Sequence, residues 1–456
     1  MACIPHISSG KCSPIKVKNV FVQGSCDAVL VAWPLMDADN KRKNDCFSSE
    51  FCIEGIPLSR MSFVDDLIGL EGSVSISNEE CVNSEVFERK TRMKYKVPKC
   101  KVITMNSKQG DVVLNGEILD NVKEQVYLGT IISADGERFS EMNSRLTKAN
   151  SVVNEIIQIC NNTELSNIRL RYVKLLMNSC LDSKIKYGCA LWNVTKLKGT
   201  SEKLNRIKPG LLKKVLQVPN STPTAALQYE IGIIDLALDV LMEKVILAVQ
   251  TLKCNDVRIS KQILESLLKK NVPGFCTELK EACDIFEVSM ESLMKVNDVR
   301  QVLKEKVIKI QAAELMKRMV GGSKMDGVIL EGFVFNGKMK KYLTELNFEE
   351  ARGIFMARYR MWPTKVNYPG RWNGVSCNVC GLDDTDIHLF TCPGYSDIVN
   401  GQFDYYSFWD IDTLEDIEKL KMLAKIVLLM LERMKHVQKF DSIPCVGDGD
   451  LSGRNV

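Results

Sequence analysis

The chain has 456 residues, of which 45% are hydrophobic and 26% charged, with a formal net charge of +4. That balance excludes a globally disordered chain and supplies enough apolar material for two or three packed domains. No apolar run approaches the roughly 18–20 residues of a membrane-spanning helix. The longest runs, 28–36 and 426–431, read as buried elements, so no membrane partner is expected. No basic segment followed by an apolar stretch opens the chain, so no secretory signal is visible. The 17 cysteines are odd in number and scattered. They fit a reducing intracellular compartment, cytoplasm or nucleus, better than a disulfide framework. Most read as small buried apolar side chains.

In chain order, residues 1–135 read as mixed α/β. Strand-like runs fall at 62–63, 101–105, 112–114 and 126–133, between turn signals Lys108-Gln109-Gly110, Asn115-Gly116 and Asp135-Gly136. A helix is predicted over 78–93. From Glu137 the spacing becomes helical, with Leu146, Val153, Ile156, Ile157 and Cys160 on one face. A second helix is predicted over 166–183, capped by Ser166. Pro219 and Pro223 break the chain, and Ser221 or Thr222 is placed to cap the next helix. Helical patterns then cover 225–252, 259–269, 297–319, 349–360 and 414–435. Gly321-Gly322 and Gly327 mark one loop, and Tyr368-Pro369-Gly370 opens another. The tail from about residue 441 is rich in Gly, Asp and Ser and is expected to fray. The expected class is α+β, in five parts: 1–136, 137–224, 225–345, 346–400 and 401–456. There is no internal repeat.

Charge is unevenly spread. Residues 137–218 hold fifteen Lys and Arg against six Asp and Glu, a balance of +9, so the remainder sums to −5. Such a block is either an electrostatic footprint for phosphates or a solvated helical face.

Phe63-Val64-Asp65-Asp66 lies between two apolar stretches. Adjacent carboxylates at such a junction are costly unless a cation neutralises them. A hard ion such as Mg²⁺ prefers oxygen ligands, and two such ions can clamp the attacking and leaving oxygens of phosphoryl transfer. The plain alternative is an exposed acidic turn. Other segments bear on the choice: Val22-Gln23-Gly24-Ser25, Lys99-Cys100-Lys101-Val102-Ile103 and Val126-Tyr127-Leu128-Gly129-Thr130. In this order the four segments resemble the palm of reverse transcriptases of non-LTR retrotransposons. The resemblance implies metal ligation by Asp65 and Asp66, a catalytic-site lysine at Lys99, and template or nucleotide contact at Gln23 and Gly24. It implies a hairpin beside the primer terminus at Tyr127, Leu128 and Gly129. It continues through Tyr187-Gly188-Cys189-Ala190-Leu191-Trp192 and the 213–223 segment, which are similar to the family's thumb. Residues 1–136 are then a partial palm, 137–224 a helical thumb and 225–345 a connection. RNA template and DNA primer or target are the implied partners.

Palm polymerases also place an aspartate on the first palm strand, before the Gln-Gly segment. None of the twenty-two residues before Gln23 is Asp or Glu, and Asp27, Asp37 and Asp39 come too late. Two-metal chemistry needs that third carboxylate. The expectation is therefore that Mg²⁺ binds weakly or not at all and that the isolated chain does not extend a primer.

Cys377, Cys380, His388 and Cys392 follow the spacing C-x2-C-x7-H-x3-C. A Cys-x-x-Cys turn offers two thiolates to one ion, and one helical turn supplies the His and the last Cys. Four N and S ligands suit tetrahedral Zn²⁺ with no open position, hence a structural site. His388 is one of only three histidines. The cluster also resembles the Cys-Cys-His-Cys knuckle of the same family. Arg352, Arg358, Arg360, Arg371, Tyr359, Trp362 and Trp372 precede it. They suit backbone contact with base stacking, or else the tryptophans pack against the zinc module.

Three functions compete: a polymerase-derived enzyme, a non-catalytic nucleic-acid-binding remnant, and a decaying reading frame. There is no Walker-type phosphate loop and no nucleophile elbow. Lys41-Arg42-Lys43 is too short for a localisation signal. Nothing in the sequence sets an oligomeric state.

Overall fold

A computed structural model describes residues 2–3, 6–7, 10–11, 15–16 and 52–438, apart from 54, 59, 64–65, 92–93, 107, 137, 162–168, 193, 195–197, 321–333, 369–373, 402 and 409–416. The architecture is α+β, helix-rich with small two-stranded sheets. By contact the chain forms two compact units. One comprises Met1–Ser144 with Ala248–Thr277, the other Arg145–Leu247 with Glu278–Val456.

In the first unit, β1 (Arg60–Phe63) and β2 (Asp66–Gly69) form an antiparallel hairpin, Phe63 facing Asp66. Helix α1 (Val74–Thr91) comes next and starts four residues before the position expected from sequence. Its polar face ties down the 111–115 segment. Asn78 Oδ1 accepts from Val113 N at 2.8 Å and Glu85 Oε1 from Asn115 N at 2.7 Å. Phe87, Val112 and Leu114 are buried. The expected strand 101–105 shortens to β3 (Lys101–Val102), paired in parallel with β4 (Asp120–Asn121). The run 126–133 is not one strand but two, β5 (Glu124–Tyr127) and β6 (Thr130–Ser133). They turn at Leu128 and Gly129, with φ of +48° and +77°. Two successive positive φ values in a two-residue loop are the mark of a type I′ turn, whose twist matches the paired strands.

Helix α2 (Phe139–Cys160) buries Val153, Ile156 and Cys160 of the face read from sequence, with Met142 and Ala149 beside them, while Leu146 and Ile157 are half-buried. Helix α3 (Arg169–Leu176) runs into a π-bulge at Met177–Leu181; its expected cap, Ser166, lies outside the described residues. Helix α4 (Lys198–Val215), not expected from sequence, passes through Pro209. Its buried stripe of Leu204, Leu211, Leu212 and Val215 holds it.

The pattern over 225–252 predicts one helix, but there are two, α5 (Thr224–Ile231) and α6 (Leu236–Leu252). Gly232 ends α5 at φ +67°, and a Cβ there would meet Lys338 O at 2.4 Å. Neither Ser221 nor Thr222 caps α5. Pro223 is the cap residue, while Thr222 Oγ1 donates to Pro219 O at 2.6 Å.

Helices α7 (Ile259–Lys270), α8 (Phe275–Ile285) and α9 (Val299–Val320) complete the middle of the chain. Of these, α8 was not expected. Helix α10 (Phe348–Arg358) opens with a capping box between Asn347 and Glu350. It lies close against α11 (Ile417–Gln438), since a Cβ on Gly353 would stand 2.7 Å from Val427 Cγ1. Phe355, Leu423, Ala424 and Val427 are fully buried.

Candidate functional site

Cys377, Cys380, His388 and Cys392 converge. One ligand atom from each lies within 4.8 Å of all the others, in the only such group among the described residues. The local chain builds this directly. Cys377 N donates to Leu382 O at 2.6 Å and Gly381 N to Cys377 O at 3.0 Å, closing the first turn. Gly381 has φ +76° there. Val379 N points at Cys377 Sγ, 3.4 Å away. The other two ligands come from a single turn in which Cys392 N donates to His388 O at 2.9 Å. The Sγ atoms of Cys377 and Cys392 are 3.8 Å apart and those of Cys380 and Cys392 3.9 Å. Cys380 Sγ lies 3.2 Å from His388 Nε2. A tetrahedron with Zn–S bonds near 2.3 Å has S–S edges of roughly 3.8 Å, so the thiol spacing fits zinc. Without a cation, burial pushes the Cys392 thiol up to about 12.

The supports of this group were not legible in the motif. His388 N donates to Thr385 Oγ1 at 3.0 Å. Lys365 bridges the module, its N donating to Asp384 Oδ2 at 2.8 Å and its Nζ to Asn378 Oδ1 at 2.6 Å. Asp386 is buried and accepts from Asn367 Nδ2 at 2.8 Å. Burial raises its carboxyl to about 6. The carbonyl of Gly394, two residues past Cys392, accepts from Arg433 Nη1 of α11 at 3.0 Å, and Arg433 also pairs with Asp397. Trp362 is fully buried and stacks on Phe390 at 6.0 Å between centroids.

That burial decides the role of several residues upstream of the cluster. Trp362 and Tyr359 are 0% exposed and Arg358 2%, so none presents a face to a nucleic-acid base or phosphate. Trp362 packs on the module, as the packing alternative required. Arg352 donates to Gln217 O at 3.0 Å. Arg371 and Trp372 lie outside the described residues.

At the polymerase-like segments, Gln23, Gly24 and Asp65 lie outside the described residues. Asp66 is exposed and opens β2. Lys99 is exposed in a single 3-10 turn, Val97–Lys99, just before β3 rather than within a strand. Tyr127 ends β5, and its phenol is raised by burial and by the charge of Asp66. The two hairpins are thus electrostatic neighbours, although about sixty residues separate them in sequence.

The basic block divides. Lys186 reaches Asp239 at 2.7 Å and Asp182 at 3.3 Å, and Lys208 reaches Asp182 at 2.9 Å. Arg145 lies over the Tyr187 ring at 4.7 Å. Lys174 donates to Ile231 O, Gly232 O and Gly337 O at 2.9, 3.1 and 2.7 Å. These cations hold the fold. Lys148, Lys184, Lys203 and Lys214 remain exposed.

No family model matches the chain, and neither does any curated protein or solved structure. Among the described residues, no helix is long and apolar enough to cross a membrane. The class the site defines is that of a helix-rich α+β protein with a Cys3His group able to hold a metal such as zinc.

Proposed function

We propose that this chain is the nucleic-acid-handling part of an RNA-directed DNA polymerase of the non-LTR retrotransposon kind, with a structural zinc module near its C-terminus. The reading rests on the resemblance of the hairpins that hold Asp66 and Tyr127, and the charge of Asp66, which after burial raises the Tyr127 phenol, supports it. Two hairpins assigned to one polymerase centre by resemblance lie within electrostatic reach of each other. The tight Leu128-Gly129 turn gives the second hairpin a defined tip. Asp65 and Asp66 would offer Mg²⁺ oxygen ligands, weakly at most, because two-metal chemistry also needs a third carboxylate. Zn²⁺ on Cys377, Cys380, His388 and Cys392 would fix the module's shape and leave no position open for chemistry.

A second reading is a non-catalytic nucleic-acid-binding protein. The exposed Lys148, Lys184, Lys203 and Lys214 favour it, because phosphate contact needs nothing from the carboxylates. Both readings require that the chain bind an RNA–DNA primer–template. Log affinity should fall linearly with log salt, and each lysine removed from the contact should lower the slope by about one. Binding that is absent, or insensitive to salt, overturns both. Mg²⁺ dependence separates them: primer–template binding strengthened by Mg²⁺ and weakened by Asp65→Asn belongs to the first alone, while neither reading expects the isolated chain to extend a primer.

A further inference from the structure

We propose that the Cys3His group is a peroxide-responsive metal site, in which Cys380 is oxidised first and Cys392 resolves it as a disulfide, releasing the ion. The inference rests on the metal reading above and adds its regulation. Three observations carry it. Cys377 is 7% exposed and Cys392 1%, whereas Cys380 is only half-buried, so a small oxidant reaches Cys380 before the others. Cys392 touches both other thiols, at 3.8 and 3.9 Å between sulfurs, and is therefore the partner placed to attack an oxidised neighbour. Val379, beside Cys380, is 49% exposed and lies against Gly394, so this side of the turn is open to solvent at Val379.

The chemistry balances with a peroxide as the oxidant. The Cys380 thiolate attacks one peroxide oxygen, the O–O bond breaks, hydroxide leaves and sulfur becomes a sulfenic acid. The Cys392 thiolate then attacks that sulfur, the S–O bond breaks, a second hydroxide leaves and the S–S bond forms. Two thiolates are oxidised by two electrons and one peroxide is reduced. Cys377 and His388 alone cannot complete a four-coordinate site, so the ion departs.

The test uses the full chain purified under reductant, with zinc counted by metal analysis before any treatment. Protein that holds no zinc at that stage fails the metal reading itself. Zinc-loaded protein is then exposed to hydrogen peroxide while a chromophoric chelator reports released zinc and peptide mapping reports the cysteines. Release should accompany a Cys380–Cys392 disulfide, and dithiothreitol should restore binding. Cys380→His keeps four ligands but removes the reactive sulfur, and should slow release by about tenfold. Retained zinc, a dominant Cys377–Cys392 disulfide, or release only with irreversible sulfinic acid overturns the proposal. If Cys380→His does not hold zinc, the disulfide mapped in the unmodified protein decides.

Discussion

Arg358 and Glu230 form an ion pair wholly inside the second unit: Nε lies 3.2 Å from Oε1, and the side chains are 1% and 0% exposed. Tyr359 donates its hydroxyl to the same carboxylate oxygen at 2.6 Å, and burial together with the Glu230 charge holds that phenol well above its ordinary range. Removing one partner of such a pair strands the other charge in a dry interior, which costs roughly 3–5 kcal/mol. Glu230→Gln should therefore lower the urea midpoint steeply, whereas the paired change Glu230→Leu with Arg358→Met should recover most of the loss. A single substitution that costs as little as the double would show that the ion pair adds little to stability.

Arg358 also shows what the sequence conceals. Its neighbours Arg352, Tyr359, Arg360 and Trp362 read as a basic, aromatic surface. The partner that reverses this is Glu230, 128 residues away, and nothing local marks it. The zinc group was legible because its ligands are local: two turns carry all four, and the spacing alone fixes them. The helices 139–160, 259–270 and 299–320 were legible for the same reason, from one-faced periodicity within the element. Helix α4 was not, because Pro209 and Gly210 interrupt it and only the buried stripe of leucines overrides them. The break between α5 and α6 hid behind apolar residues that continue through Ile231, Ile233 and Ile234 without a polar gap. Gly232 was the visible signal there, but its reason is the close approach of Lys338.

That approach makes Gly232 an unusual glycine. Alanine there needs a left-handed backbone and also meets Lys338 O at 2.4 Å. Together these should cost about 3 kcal/mol or more. Gly116 supplies the control, since it has φ +77° but nothing within 4 Å of an added Cβ. Gly116→Ala should cost only about 1–2 kcal/mol. Equal losses at the two positions, measured by urea unfolding, would rule out the steric contribution.

Lys174 should make stability depend on pH. Burial pushes its ammonium down to about 8 from an ordinary 10.5, and the Lys208 and Lys304 cations push the same way. Its hydrogen bonds all go to backbone carbonyls, which supply no counter-charge. Between those two values the unfolded chain binds more protons than the folded one, so unfolding takes up protons and stability rises with pH. The charged form carries a desolvation penalty below about 8 that is relieved across the window up to 10.5. The unmodified protein should thus gain stability relative to Lys174→Met as pH climbs through that window. A difference between the two that stays flat, or falls, contradicts the burial of the charged amine.

Metal removal tests the structural role of the Cys3His group most directly. The unmodified protein should carry about one equivalent of zinc, as a closed four-ligand site implies. His388→Cys should keep the ion, since four thiolates also suit it, whereas His388→Ala and Cys377→Ser should lose it. The consequence reaches beyond the ligands. Phe390 sits two residues past His388 and stacks on the buried Trp362, while Gly394, just past Cys392, anchors Arg433 of α11. Chelation should therefore lower the thermal midpoint and open protease cleavage within residues 374–392, and Cys377→Ser should show the same cuts with zinc present. Both effects should follow the metal, because ligand thiols that are protonated have no bond to hold the two turns together. If chelation empties the site but leaves the midpoint and the cleavage pattern unchanged, the ion does not hold this module, and the buried Trp362 with the hydrogen bonds of Lys365, Asn367 and Arg433 must do so.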